Sequence, residues 1–317
     1  FHERNRVLTL PGACRVMTRI LLHLGPCPVS ARKLADSVLA FGAGPRLWPA
    51  TLGRRGATRL FLAALDPGHV DPLRWARGLA PEDRQAAFLA DLTRRLRALS
   101  GEVLVLCDLA GRHLVHPSER DRLAALLTPF EVSATAHIPD LAEGLAAHWT
   151  AQILWGRCRP PEADFATPPE AWAKARGHGT ARPELDDFPE LEQPAHWLDP
   201  AGFRDFWAPA FPGLTLLPDA AAVLARTDVA EAPVAATPAS AQTLARVLAL
   251  NPLIRQLLAR GIVLPRRERA RLVASVAVEG PPLDPAAIRA RLHGADAPLL
   301  PPTPDFDPEA VLGRALP

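Results

Sequence analysis

Tyrosine is absent from this 317-residue chain, methionine occurs once and lysine twice. The first absence excludes a tyrosine nucleophile or acid outright. A lysine role can fall only on Lys33 or Lys174, because 34 of the 36 basic residues are arginine. No apolar run approaches the roughly 20 residues that a membrane helix needs, so no membrane span is expected. The opening residues carry charges but no apolar stretch of signal-peptide type. Cys14, Cys27, Cys107 and Cys158 are far apart and form no CxxC pair. That argues against a zinc site or a disulfide framework, and reduced thiols in a cytoplasmic protein are the expectation. Charge of one sign is also lacking. With 36 basic against 34 acidic residues the net charge is +2, which gives no whole-chain field for nucleic acid or an anionic membrane.

What is present is an ordinary globular share of apolar (48%) and charged (22%) residues, long enough in total to bury a core. Proline is unusually frequent at 35 residues, about twice the common share. The fold is expected to start at Met17, with residues 1–16 a disordered upstream extension. Ile20 to Leu24 reads as a buried parallel strand closed by Gly25-Pro26, and Ser30 to Phe41 as the helix that follows. Residues 42–58, rich in Gly, Arg and Pro, read as loop. Pro81–Leu99 predicts an amphipathic helix, Glu102–Cys107 a strand, Pro117–Leu127 a helix, Glu131–Ala136 a strand and Pro139–Trp155 a long helix. Such alternation argues for an α/β domain with a parallel sheet. Residues 158–198 are broken by prolines and read as a surface excursion. A short helix near Gly202–Trp207, a strand at Gly213–Leu217 and helices at Ser240–Arg260, Pro265–Val278 and Pro285–Leu292 complete a single domain over 17–294. Residues 295–317 read as a frayed Pro-rich tail.

The first strand-to-helix loop is the chemically informative place, since ligands of doubly wound folds bind at the carboxyl ends of strands. A loop that holds phosphates needs glycine, a cation and hydroxyls. The segment His23-Leu24-Gly25-Pro26-Cys27-Pro28-Val29-Ser30-Ala31-Arg32-Lys33-Leu34 resembles the opening of the bacterial sulfotransferase family, which typically reads HIGPPKTGTSALQ. That family has a P-loop-like three-layer α/β fold and uses 3′-phosphoadenosine-5′-phosphosulfate (PAPS) as donor. The frame matches at His23, Gly25, Pro26 and Leu34. Pro28 stands where the family has its sulfate-contacting lysine, Ser30 replaces a loop glycine, and Ala31 and Arg32 replace two hydroxyl residues.

The resemblance continues at Ala136-His137-Ile138-Pro139, which stands where the family has its RRP segment. Ala146 and His148 then fall where the family places the serine and tyrosine of its 3′-phosphate site. Glu102–Leu109 resembles a further strand segment, with Cys107-Asp108 in place of polar letters. Ser240–Asn251 resembles a late helix. The resemblance implies a P-loop-like fold with a helical C-terminal part, PAPS or its product nucleotide as cofactor, and Gly25, Pro26, Ser30, Arg32, Lys33 and His137 as the donor-binding set. Sulfuryl transfer, like phosphoryl transfer, depends on placed positive charge and N–H groups around an anionic donor. Pro28 removes one charge and one N–H together.

His23 and Asp108 are the candidate catalytic groups, each at the end of a strand. His113-x-x-His116 lacks a third ligand at metal-site spacing, so no metal is expected. Cys27 sits where a helix N-terminus could activate a thiol. Trp149 and Trp155 read as core or interface anchors. Three readings stay open. One is a sulfotransferase-like pseudoenzyme or partner-binding protein with a degenerate donor site. Another is an active transferase that takes PAPS or another anionic donor and a small-molecule acceptor, with Arg32, Lys33 and His137 as replacements. The third is a non-catalytic interaction protein that binds a protein partner.

Overall fold

The computed structural model of the chain describes residues 18–26, 34, 36–37, 57–69, 71–79, 82–167, 192, 199–226 and 239–315. Four strands, β1 (Arg19–His23), β2 (Glu102–Leu106), β3 (Glu131–His137) and β4 (Thr215–Leu217), form one all-parallel sheet in the order β2-β1-β3-β4. In register, Arg19 lies opposite Glu102 and Glu131, and its guanidinium reaches both carboxylates, at 3.5 and 3.7 Å. Charge thus collects at the amino ends of the three strands. Their apolar stretches are buried on both faces, as parallel strands require.

One face carries Ile20, Leu22, Val103, Val105, Ala134 and Ala136. It is covered by α1 (Thr58–Ala64), α3 (Glu82–Arg97), α5 (Pro117–Leu127) and α7 (Pro200–Trp207). The short α2 (Pro72–Ala76) lies between α1 and α3 in the chain, and α4 (Asp108–His113) starts directly after β2. The other face carries Leu21, Leu104 and Leu106 against Leu34 and α8 (Ala220–Leu224). Helices on both faces of a parallel sheet make the expected three-layer α/β architecture. Residues 34, 36 and 37 are helical; the remainder of the predicted Ser30–Phe41 helix lies outside the described residues.

A second core belongs to the helical C-terminal part. Here α6 (Leu141–Trp155) packs on α9 (Ala241–Ala259), α10 (Arg266–Ser275) and α11 (Pro285–Leu292) through Leu145, Trp149, Ile153, Leu244, Leu250 and Ile288. Asp140 caps α6, accepting from Ala142 N at 3.0 Å. The described start of the proline-rich excursion is anchored by a buried cluster. The Arg157 guanidinium donates to Asp164 and to Gln152, both at 2.6 Å, and Trp149 Nε1 donates to Asp164 at 2.7 Å.

Four expectations need correction. The reading of 42–58 as loop misses that Thr58 opens α1, whose Leu60, Phe61 and Leu62 are buried in the first core. Asp108 does not end a strand; it is the first residue of α4. His113 closes α4 rather than lying in a loop. The described residues of the tail are not frayed throughout: Leu299 and Leu312 are buried in the second core, and α12 (Pro308–Ala315) is regular helix. The physical reason is that scattered leucines between prolines still find a groove left open by α6 and α9.

Candidate functional site

The strand order places both neighbours of β1 on opposite sides, so the chain reverses direction between β2 and β3. The crevice at such a switch point opens at the carboxyl ends of β1 and β3. β1 delivers His23, Gly25 and Pro26 there, β3 delivers Thr135 and His137, and the β2–α4 junction delivers Cys107 and Asp108. The sequence-predicted residues Gly25, Pro26, His23, Asp108 and His137 therefore share one end of the sheet. Ser30, Arg32, Lys33 and Cys27 lie outside the described residues.

His23 is fully buried. Its backbone is zipped into the sheet end: Cys107 N donates to His23 O at 2.7 Å and Leu24 N donates to Thr135 O at 2.8 Å. Its Nδ1 lies 3.3 Å from Thr135 Oγ1, and that hydroxyl lies 3.5 Å from Leu22 O. Either nitrogen can carry the ring proton, because the Thr135 hydroxyl can donate to Nδ1 or to Leu22 O. Nε2 is buried and has no hydrogen-bond partner among the described residues. Burial, with His137 adding repulsion, lowers the imidazole pKa to about 3. Gly25 sits against this ring, so close that a Cβ there would lie 2.3 Å from Nε2. The glycine thus has a packing reason to lack a side chain, supplied by its own histidine.

The other groups are similarly committed. Asp108 is buried, and burial raises its pKa although Arg112 pairs with it at 3.3 Å. Burial pushes the Cys107 thiol up, with Asp108 reinforcing the effect, so this sulfur is not a thiolate nucleophile. His137 is half-buried and its pKa is lowered by desolvation, against the pull of Asp219 and Glu143. α4 is pressed onto the end of β1: a Cβ on Gly111 would lie 1.7 Å from the Leu24 carbonyl oxygen. His148 is buried in α6. Trp149 is a core residue, whereas Trp155 is 51% exposed.

Thr135, Arg112 and Gly111 were not singled out from sequence. The signal for Thr135 was available: Ser133, Thr135 and His137 alternate along β3 and so lie on one face. Gly111 carried no local signal, because its role is set by a strand distant in sequence. Among the described residues no three His, Cys, Asp or Glu side chains gather at metal-binding distance. No described helix is long and apolar enough to cross a membrane.

An anionic nucleotide donor needs convergent cations and free donors. The described crevice wall offers a neutral histidine buried under Gly25, a second histidine biased towards neutrality, and a guanidinium engaged by Asp108. These described residues supply no convergent cations for such a group; residues 27–33, which the resemblance assigns to the donor loop, lie outside them. Compared with protein-family models, with curated proteins and with solved structures, the chain matches none.

Proposed function

We propose that this is a sulfotransferase-like α/β protein with a degenerate donor site, acting by binding a partner rather than by transferring a sulfuryl group. The observation that carries the reading is His23. It is a position where the chain matches the resemblance, and it is buried, neutral and wedged beneath Gly25, so it brings no positive charge to an anionic donor. Losing a single oxyanion-type donor costs about 10²–10³ in rate. Here the sequence also replaces the loop lysine by Pro28 and the hydroxyl pair by Ala31 and Arg32.

The test is calorimetric titration and thermal shift with 3′-phosphoadenosine-5′-phosphate. A ligand bound at 100 times its Kd stabilises the fold by about 2.7 kcal/mol, a readily measured shift. No shift and no binding heat at about 1 mM nucleotide is the expected result. Saturable binding that is lost on Arg32→Ala would overturn the reading in favour of an active transferase.

A further inference from the structure

The outer side of α3 is exposed although it is apolar at its centre. Ala86, Leu89 and Ala90 face solvent, Leu89 at 42% exposure, while Leu92 and Leu96 on the inner side are buried. Spacings of three, four and seven return to one helix face, so positions 82, 86, 89, 90, 93 and 97 form a single stripe. Ala86, Leu89, Ala90, Thr93, Arg94 and Arg97 together form an open, shallow surface there. The Thr93 hydroxyl is already engaged, donating to Leu89 O at 2.9 Å. The stripe is therefore free of stranded polar atoms at its middle.

Charge is sorted along the same helix. Glu82 and Asp83 open it and Arg94, Arg95 and Arg97 close it. Arg94 and Arg95 are tied to Asp91, but neither Glu82 nor Arg97 has an ionic partner among the described residues. Two copies laid antiparallel about a two-fold axis between positions 89 and 90 would set Glu82 opposite Arg97, Ala86 opposite Thr93 and Leu89 opposite Ala90. All three pairings occur twice by symmetry, which is what an isologous contact demands. The alanines permit the close approach of about 8–10 Å between helix axes.

From this self-complementarity we infer that the outer face of α3 is the docking surface for a second copy of this chain. The surface is separate from the strand-end crevice and does not depend on its chemistry. From residue 82 to residue 97 the helix spans about 22 Å, so one helix face alone buries less than the roughly 1,200 Å² of a standard stable interface. The dimer is accordingly weak, forming over about 10–100 µM.

Sedimentation equilibrium of the full chain from about 5 to about 300 µM tests it. The wild type dimerises and added salt weakens the association. Leu89→Glu and Ala86→Arg, both at exposed positions, each weaken it by more than about tenfold while circular dichroism remains that of the wild type. Arg97→Glu weakens it by about tenfold through a like-charge pair, and Glu82→Arg added to Arg97→Glu restores it. A chain monomeric at every concentration overturns the inference. So does a dimer indifferent to both Leu89→Glu and Ala86→Arg, or a double charge reversal that fails to rescue.

Discussion

At the residue scale, the buried imidazole of His23 makes stability depend on pH in a defined direction. Its folded-state pKa is lowered from 6.5 to about 3, so the unfolded chain takes up a proton where the folded chain does not. The histidine costs nothing above pH 6.5. As pH falls from there towards 3, it removes stability by roughly 1.4 kcal/mol per pH unit. Asp108 opposes this, because its raised pKa makes the folded state the better proton binder above the usual carboxylate range. His137 acts in the same sense as His23. The contribution of His23 is isolated by comparing the wild type with His23→Leu in urea denaturation at pH 6.5, 5.5 and 4.5. The wild type is expected to lose stability more steeply than the variant, by about one proton's worth of slope. Parallel pH profiles would show that the imidazole is not held neutral in the fold.

At the element scale, three helices of the second core are joined through one side chain. Asn251 of α9 is buried, and its Nδ2 donates to Ile153 O at 2.9 Å and Arg157 O at 2.6 Å, at and just beyond the end of α6. Its Oδ1 accepts from Arg269 of α10 at 2.7 Å. Those carbonyls belong to a helix end that needs partners, where Gly156 supplies the left-handed turn with φ 129°. Asn251→Leu keeps the size and removes three hydrogen bonds, although Ile153 O keeps the 3.2 Å bond from Gly156 N and Arg269 its 3.3 Å bond to Leu154 O, so a loss of about 2–3 kcal/mol in urea denaturation is expected. A loss below about 1 kcal/mol would show that water replaces the amide without penalty.

Which elements the sequence reveals follows from where their determinants lie. Helices α3, α5, α6, α9 and α11 are legible because each carries its own start signal and apolar face, as in Ser240 capping Thr243 N at 3.0 Å. Strands β1 and β2 are legible as short, mainly apolar runs, and β3 by the alternation of Val132, Ala134 and Ala136 with polar residues. Helices α1, α2, α4 and α8 run to seven residues at most, too few to show periodicity, and form because burial against the sheet outweighs weak local preference. α1 starts from Ala57, which holds an unfavourable left-handed φ of 40°, a conformation only its buried setting explains. In the crevice the gathering of His23, Gly25, His137 and Asp108 is legible because each lies at or just after the end of a strand. The burial of His23 is not, because it depends on Thr135 and Leu106 brought alongside by the sheet register.

At the scale of the whole molecule, the second core has to be closed by something, and the last described residues do it. Helices α6, α9 and α11 present Leu145, Leu250 and Ile288 to one another and leave a side to be covered. Leu299 and Leu312 fill it, each 7% exposed. The segment is pinned by polar contacts as well. Leu299 N donates to Glu162 at 2.6 Å, which links it to the start of the proline-rich excursion. The Arg246 guanidinium lies 5.4 Å from the centre of the Phe306 ring. Prolines between these anchors lower the entropy of the unfolded segment, so ordering it costs less than its length suggests. A core leucine truncated to alanine costs about 2–5 kcal/mol, the lower end applying where the site can collapse. For Leu312→Ala, in the last described helix, a loss of about 2 kcal/mol is expected in urea denaturation. A chain ended after Gly294 should lose more, because both leucines, α12 and the Glu162 contact go together. If that shortened chain unfolded at the wild-type urea concentration, the segment would be an ornament on a core already closed, and the burial of Leu299 and Leu312 would carry no stability.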